Sequence, residues 1–138
     1  MISIDWRTRR AARSVAESMP IVQRACSGDS LDIAEKAGIS PEAIVLDPGI
    51  GFGKTPEQSM EAITKLAKFT NYGFPILVGA SRKRFIHSVS PSEPIDRIGG
   101  SIAAHVIAYM NGATIIRTHD VAETIQALRV ATALRGPK

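Results

Sequence analysis

Cysteine is nearly missing from this sequence: Cys26 is the single one among 138 residues. It cannot close an internal disulfide or build a cysteine-based zinc site, so a reducing compartment, the cytoplasm, is the expectation. Aromatic residues are scarce at 5%. No basic stretch is interleaved with stacking rings, which argues against a nucleic-acid partner. No apolar run approaches the roughly 20 residues a membrane-spanning helix needs, so no membrane partner is expected either. Low-complexity tracts and interdomain linkers are also lacking. A single domain over residues 1–138 is the expectation, since domains commonly run to about 100–150 residues.

What is present is ordinary for a globular protein, with 44% hydrophobic and 22% charged residues. The formal charge of +4 suits an anionic partner. The densest basic run, Arg7, Arg9, Arg10 and Arg13, with Arg24 beyond it, reads as the solvated face of a surface helix. Asp5 and Glu17 break the acid-poor pattern of a mitochondrial presequence.

Three short apolar runs stand out: Ile44-Val45-Leu46, Ile76-Leu77-Val78 and Thr114-Ile115-Ile116. They are continuous, β-branched and closed by polar or glycine positions, which is the pattern of strands buried on both faces of a parallel sheet. Helical stretches lie between them at the spacing of a βα unit, and such alternation predicts an α/β fold. Thr55-Pro56-Glu57-Gln58 predicts an N-cap, a proline at the first helical position and a capping-box glutamine. Met60, Ile63, Leu66 and Ala67 then share a face, and Gly73 follows the end. A second helix carries Ile98, Ile102, Val106 and Met110 as its buried stripe and stops at Asn111-Gly112. A third opens with Asp120 as N-cap and buries Val121, Ile125 and Leu128. Residues 87–94, with two prolines and three serines, predict a loop. Residues 1–33 give no clear assignment: Ile2-Ser3-Ile4 has strand character and Arg7 to Glu17 helix character, while Leu31 to Ala37 predicts a helix ended by Gly38.

Each predicted strand ends in chemistry-bearing groups: Asp47 after the first, Ser81-Arg82-Lys83 after the second, and Arg117, Thr118, His119 and Asp120 at the third. Ligands of parallel β/α folds bind at the C-terminal ends of strands, so these groups should converge on one rim. The run Asp47-Pro48-Gly49-Ile50-Gly51-Phe52-Gly53-Lys54-Thr55 fails the P-loop pattern, because Pro48 stands where glycine is required. It fails the dinucleotide fingerprint too, with Lys54 in place of the third glycine. What remains is a glycine-rich loop that brings backbone close to a ligand. Arg117 and His119 are two apart and share a strand face, a pairing suited to an oxyanion or phosphate. Asp120 is committed to helix capping in this reading, which leaves Arg117 without a local partner. His105, on the polar side of its helix, and His87, at the start of the loop, take no role.

The motifs "LDPGIGFGKT", "VGASRKRF", "RIGGSIAA" and "IIRTHDV", in this order and spacing, resemble dihydropteroate synthase from about Ala34 to Leu134. That family has a (β/α)₈ barrel of the TIM type, which takes about 250 residues. The resemblance therefore implies a partial barrel, about the last three to four βα units. It implies a transferase of folate biosynthesis, in which 4-aminobenzoate displaces diphosphate from 6-hydroxymethyl-7,8-dihydropterin diphosphate. By the same resemblance Asp47 accepts hydrogen bonds from the pterin, with the Gly51 loop closing on it. Lys83 reaches the pterin carbonyl side, and Arg117 and His119 hold the departing diphosphate; Lys83, Arg117 and His119 form the catalytic set. Phe52 and Arg82 shape the 4-aminobenzoate pocket, where sulfonamides bind in the family. Arg84 stands where many members carry serine. The resemblance also implies Mg²⁺, but the asparagine that helps bind it comes from an early strand without a counterpart here, so no metal ligand is assigned. Asp5, in "ISID", is given no role. Expected partners are the two small-molecule substrates, and a second copy of the chain or a complementary barrel segment. Alternatives are a non-catalytic remnant that keeps a pterin or phosphate pocket and a related pterin-binding methyltransferase; "SRK" and "RTHD" favour the synthase.

Overall fold

The computed structural model describes residues 29–136, together with the backbone of three short strands, β1 (Ile2–Ile4), β2 (Ala11–Ala12) and β3 (Ile21–Val22). Helix α1 (Asp29–Lys36) is followed by β4 (Val45–Leu46), α2 (Pro56–Thr64) and β5 (Leu77–Val78). Then come α3 (Arg84–Val89), α4 (Ile98–Met110), β6 (Ile115–Thr118) and α5 (Val121–Arg135). The architecture is α/β. Strand β3 pairs in parallel with β4, a parallel bridge between Leu46 and Ile76 carries the order to β5, and β5 pairs in parallel with β6. At the far edge β1 lies antiparallel on β6, and β2 antiparallel on β1.

All three apolar runs are strands, and their burial explains the lack of alternation. Val45, Leu46, Leu77 and Val78 are each at most 2% exposed. Successive side chains nevertheless point to opposite faces. Ile76, Val78 and Ile116 join the helix-facing core with Ile63, Leu66, Ala108 and Leu128, whereas Val45, Leu77 and Ile115 cluster on the other face. The register Leu77↔Ile115 and Val78↔Ile116 keeps each pair on its own side.

The capping box of α2 forms as predicted. Gln58 N–H donates to Thr55 Oγ1 at 3.2 Å, and Thr55 N–H donates to Gln58 Oε1 at 2.9 Å, with Pro56 opening the helix. A cap of this kind contributes about 1 kcal/mol. Ile63 and Leu66 are buried and Met60 is half-buried, but Ala67 is exposed. Beyond Lys65 the chain tightens into a 3₁₀ turn over Leu66–Tyr72, and the change of winding turns Ala67 outward before Gly73 closes it at φ 76°. Gly38 likewise follows α1 at φ 74°.

Three expectations are corrected. Ala11–Ala12 is extended, inside the segment read as a helix from Arg7 to Glu17; the rest of that segment and Asp5 lie outside the described residues. His87, Ser88 and Val89 form the last turn of α3, so the loop before α4 is shorter than residues 87–94. The buried face of α4 is not Ile98, Ile102, Val106 and Met110 but Ser101, Ala104, His105, Ala108 and Tyr109. A strict four-residue step drifts about 40° round a helix each time, so that stripe slides from the core into solvent. Met110 ends 56% exposed. Small residues on the true inner face let α4 lie close to its neighbours.

The start of α4 gives a paired test of that close packing. A Cβ on Gly100 would fall 2.4 Å from Cγ2 of buried Ile86, whereas one on Gly99 would meet nothing within 4 Å. Gly99→Ala should stabilise the protein by about 0.5–1 kcal/mol through lost unfolded-state entropy. Gly100→Ala should destabilise it, because overpacking costs about 1–3 kcal/mol. Opposite shifts of the urea midpoint are expected; shifts of the same sign would contradict the packing described.

Candidate functional site

The loop after β4 begins with Asp47, 3% exposed, whose Oδ1 accepts the Gly49 N–H at 2.8 Å. This closes a tight turn around Pro48 and fixes the carboxylate at the strand end. Lys54 Nζ donates to the Gly49 carbonyl at 3.1 Å and pulls the far side of the loop inward. Between these anchors the exposed ring of Phe52 receives Lys83 Nζ 3.8 Å from its centroid. Such a cation–π contact contributes about 0.5–2 kcal/mol. Gly51 makes it possible: with φ 74°, it leaves the space in which a Cβ would sit 3.0 Å from Lys83 Cδ.

The end of β5 is held by a clamp on Arg82, the one described non-glycine residue with positive φ, at 57°. Its N–H donates to Ser101 Oγ at 2.8 Å, and its carbonyl accepts from Arg97 Nη1 at 3.1 Å. Its guanidinium donates to Asp120 through Nη2 at 2.5 Å and Nε at 3.2 Å. Arg97 is itself buried and also donates to the Ser92 carbonyl from Nε and Nη2. The hydrogen bond from Arg82 holds the Asp120 carboxyl below its ordinary range, and Asp120 in turn raises Arg82. Asp120 therefore does not cap α5 with its side chain. The carboxylate is drawn across to β5 by a bidentate cation, a stronger acceptor interaction than one backbone N–H offers. Lys83 follows directly. Burial lowers its pKa first, the nearby Arg117 charge adds to this, and Asp47 opposes it.

At the end of β6, Arg117 lies over the backbone of β5. A Cβ on Gly79 would be 3.0 Å from Arg117 Nε and 3.1 Å from Nη2, so glycine leaves the guanidinium its place. The Arg117 guanidinium has no hydrogen-bond or ion-pair partner among the described residues. His119, exposed just past the strand, faces Ser81: its N–H donates to Ser81 Oγ at 3.2 Å, and its Nδ1 lies 2.9 Å from the same oxygen. Asp47, Lys83 and Arg117 thus share one rim, and Ser81 hangs His119 on the loop that carries Lys83. Arg82 is present but faces Asp120. An open cavity of about 480 Å³ adjoins this rim, bounded by Gly51, Lys54, Thr55, Lys83, Arg84 and Phe85. Sequence reading named Ser81 at the strand end but not its contact with His119, and it missed Arg97, Ser101 and the true partner of Asp120. The motif "RIGGS" marks two of them, but no spacing shows that they reach back to Arg82.

The pterin-binding enzyme family matches residues 5–119. The chain belongs to that family. It is 46% identical over 104 residues to dihydropteroate synthase of Escherichia coli K12, covering 75% of this chain and 37% of that protein. The structure of the Xanthomonas albilineans dihydropteroate synthase in complex with 7,8-dihydropteroate superimposes with a TM-score of 0.78 at 36% identity, over 94% of this chain and 49% of that one. The Coxiella burnetii dihydropteroate synthase in complex with pteroic acid gives 0.75 at 43% identity, over 78% and 40%. The chain thus spans between about a third and a half of the length of these relatives.

The described residues offer no ligand cluster for the Mg²⁺ that the resemblance implies. No group of three or more His, Cys, Asp or Glu among the described residues could hold a metal ion. Asp120 is occupied by Arg82, and the rim around Asp47 is cationic. No described helix is long and apolar enough to cross a membrane. His105, read as facing polar, is instead 0% exposed, with neither ring nitrogen hydrogen-bonded. Burial pushes its pKa down to about 4, with Asp120 opposing.

Because the folded pKa of His105 lies below the ordinary 6.5, the unfolded chain takes up its proton first as pH falls. Stability from the neutral buried ring is complete above pH 6.5 and is lost progressively down to about pH 4. The loss amounts to about 3 kcal/mol, at 1.36 kcal/mol per pKa unit. His105→Leu should remove this acid-dependent loss. Urea unfolding across that range should show the wild type declining by about that much more than the variant; parallel declines would contradict it.

Proposed function

We propose that this chain is the C-terminal, pterin- and diphosphate-binding portion of a dihydropteroate synthase. Its substrates are 4-aminobenzoate and 6-hydroxymethyl-7,8-dihydropterin diphosphate. The observation that carries this reading is the Arg117 guanidinium, without an ion-pair partner among the described residues, laid across Gly79 and near Lys83, which also feels the charge of a fixed Asp47. An unpartnered arginine on a rim of donors is built for a polyanion. A buried carboxylate at the neighbouring strand end is a pure acceptor suited to the N–H groups of a pterin.

In this reading Asp47 accepts from the pterin amino and ring N–H groups and sets the ring in the site. Lys83, held against Phe52, meets the pterin carbonyl side and adds positive charge. Phe52, Lys83 and Gly51 bound the pocket for 4-aminobenzoate, which sulfonamides would share. Arg82 shapes that pocket through its backbone, since its guanidinium is bound to Asp120. The amine attacks the methylene carbon, the carbon–oxygen bond breaks, and negative charge grows on the departing diphosphate. Arg117 and His119 stabilise that charge with donors already in place. The four parallel strands, β3 to β6, represent part of a TIM-type barrel, and turnover in the cytoplasm requires the remaining strands from another segment. Exposed Ile107, Met110, Val130 and Leu134 on α4 and α5 support association with a second copy.

Calorimetry with diphosphate and a dihydropterin separates the two half-sites. Arg117→Ala should weaken diphosphate binding by about 2–5 kcal/mol. Gly79→Ala should also weaken it while leaving the charge count unchanged, because the new methyl displaces the guanidinium. Unaltered diphosphate affinity in both variants would overturn the anion site.

Asp47→Asn keeps the shape but aims a donor at donors, so pterin affinity should fall by about 1–3 kcal/mol with diphosphate binding unchanged. Joint loss of both ligands with a collapsed melting temperature would make Asp47 structural. A turnover assay with both substrates, the missing barrel segment supplied and Mg²⁺ present or absent, tests the whole assignment.

A further inference from the structure

Ser81 is given no role by the resemblance or by the ligand contacts proposed above, yet it makes two contacts to His119. The serine is 6% exposed, at the end of β5. Its hydroxyl has one proton to donate and two lone pairs to accept with. One lone pair receives the His119 backbone N–H at 3.2 Å. The other contact, 2.9 Å away, is His119 Nδ1. No other acceptor for the hydroxyl proton exists among the described residues. If Nδ1 carried the ring proton, Ser81 would accept twice and its own proton would be buried without a partner, the costly arrangement. If the hydroxyl donates to Nδ1, both groups are satisfied, and the ring proton must sit on Nε2.

We infer that Ser81 is a positioning residue that holds neutral His119 as the Nε2–H tautomer, so that the exposed edge of the ring presents a donor to an oxyanion. The oxyanion class, a phosphoryl oxygen, rests on the function proposed above; the tautomer assignment does not. The effect on the rim is direct. Arg117 and Lys83 offer only donors, and the Nε2–H tautomer makes His119 a third. The opposite tautomer would aim a lone pair at the incoming anion. The backbone contact fixes the ring as well as the proton, since the same hydroxyl oxygen binds the N–H of the residue it orients.

Long-range ¹H–¹⁵N correlation of the imidazoles in alkaline buffer tests this, with His119 assigned by its loss in His119→Gln. The wild type should show a protonated Nε2 and an unprotonated Nδ1. Ser81→Ala should give a mixed pattern, and Ser81→Thr, which keeps the hydroxyl, should restore the first. Inorganic diphosphate should bind Ser81→Ala roughly 3–10-fold more weakly, about one hydrogen bond's worth, with recovery in Ser81→Thr. A protonated Nδ1 in the wild type overturns the inference even if the alanine variant fails to fold. An unchanged Nε2–H pattern in a folded Ser81→Ala overturns it as well. If the tautomer shifts as described but diphosphate binds neither protein, the positioning role stands and the anion-binding function falls.

Discussion

Arg82 occupies a backbone conformation that a side chain with a Cβ adopts only when its surroundings hold it there. Its surroundings come from three elements. Ser101 on α4 takes its N–H, Arg97 just before α4 supplies one donor to its carbonyl, and Asp120 at the start of α5 takes its guanidinium. The left-handed turn reverses the chain between Ser81 and Lys83. Ser81 therefore points toward His119 just past β6, and Lys83 reaches back over the β4 loop to Phe52. Without this clamp the donors on β5 and β6 would not share a rim.

Glycine completes the arrangement at two points. Gly79 lets the Arg117 guanidinium lie against the β5 backbone, and Gly51 lets the Lys83 stem pass the β4 loop. Among the described residues neither cation forms an ion pair with a carboxylate. Asp120 is bound to Arg82, and Asp47 is the carboxylate whose charge acts on Lys83. Positive potential is therefore left for a ligand, which is the electrostatic condition for binding an anion. Asp47 is fixed beside Lys83, because its turn around Pro48 keeps its Oδ1 on the Gly49 N–H.

His105 shows what the close packing of α4 costs. The helix buries its small residues against the core, and a ring with two unbonded nitrogens is carried in with them. A neutral imidazole tolerates this better than a charged one, so the same packing that brings Ser101 to Arg82 makes the fold sensitive to acid.

Much of the framework was legible locally. The runs around Val45, Leu77 and Ile115 read as buried strands because both faces are covered. Thr55 to Gln58 read as a capping box because that interaction closes within four residues. Asp47, Lys83, Arg117 and His119 could be named because parallel strands place their C-terminal ends together. The inner face of α4 was not legible: an apolar stripe at four-residue spacing drifts round the helix, and only the neighbours decide that Ala104, His105 and Ala108 face inward. Nor was the destination of Asp120, since its capping position gives no sign of an arginine 38 residues earlier. The sequence alone determined where the buried strands run and which polar side chains follow their ends, because both are short-range patterns. Only the tertiary structure decided which charges cancel and which stay free, because that depends on contacts between groups far apart in the chain.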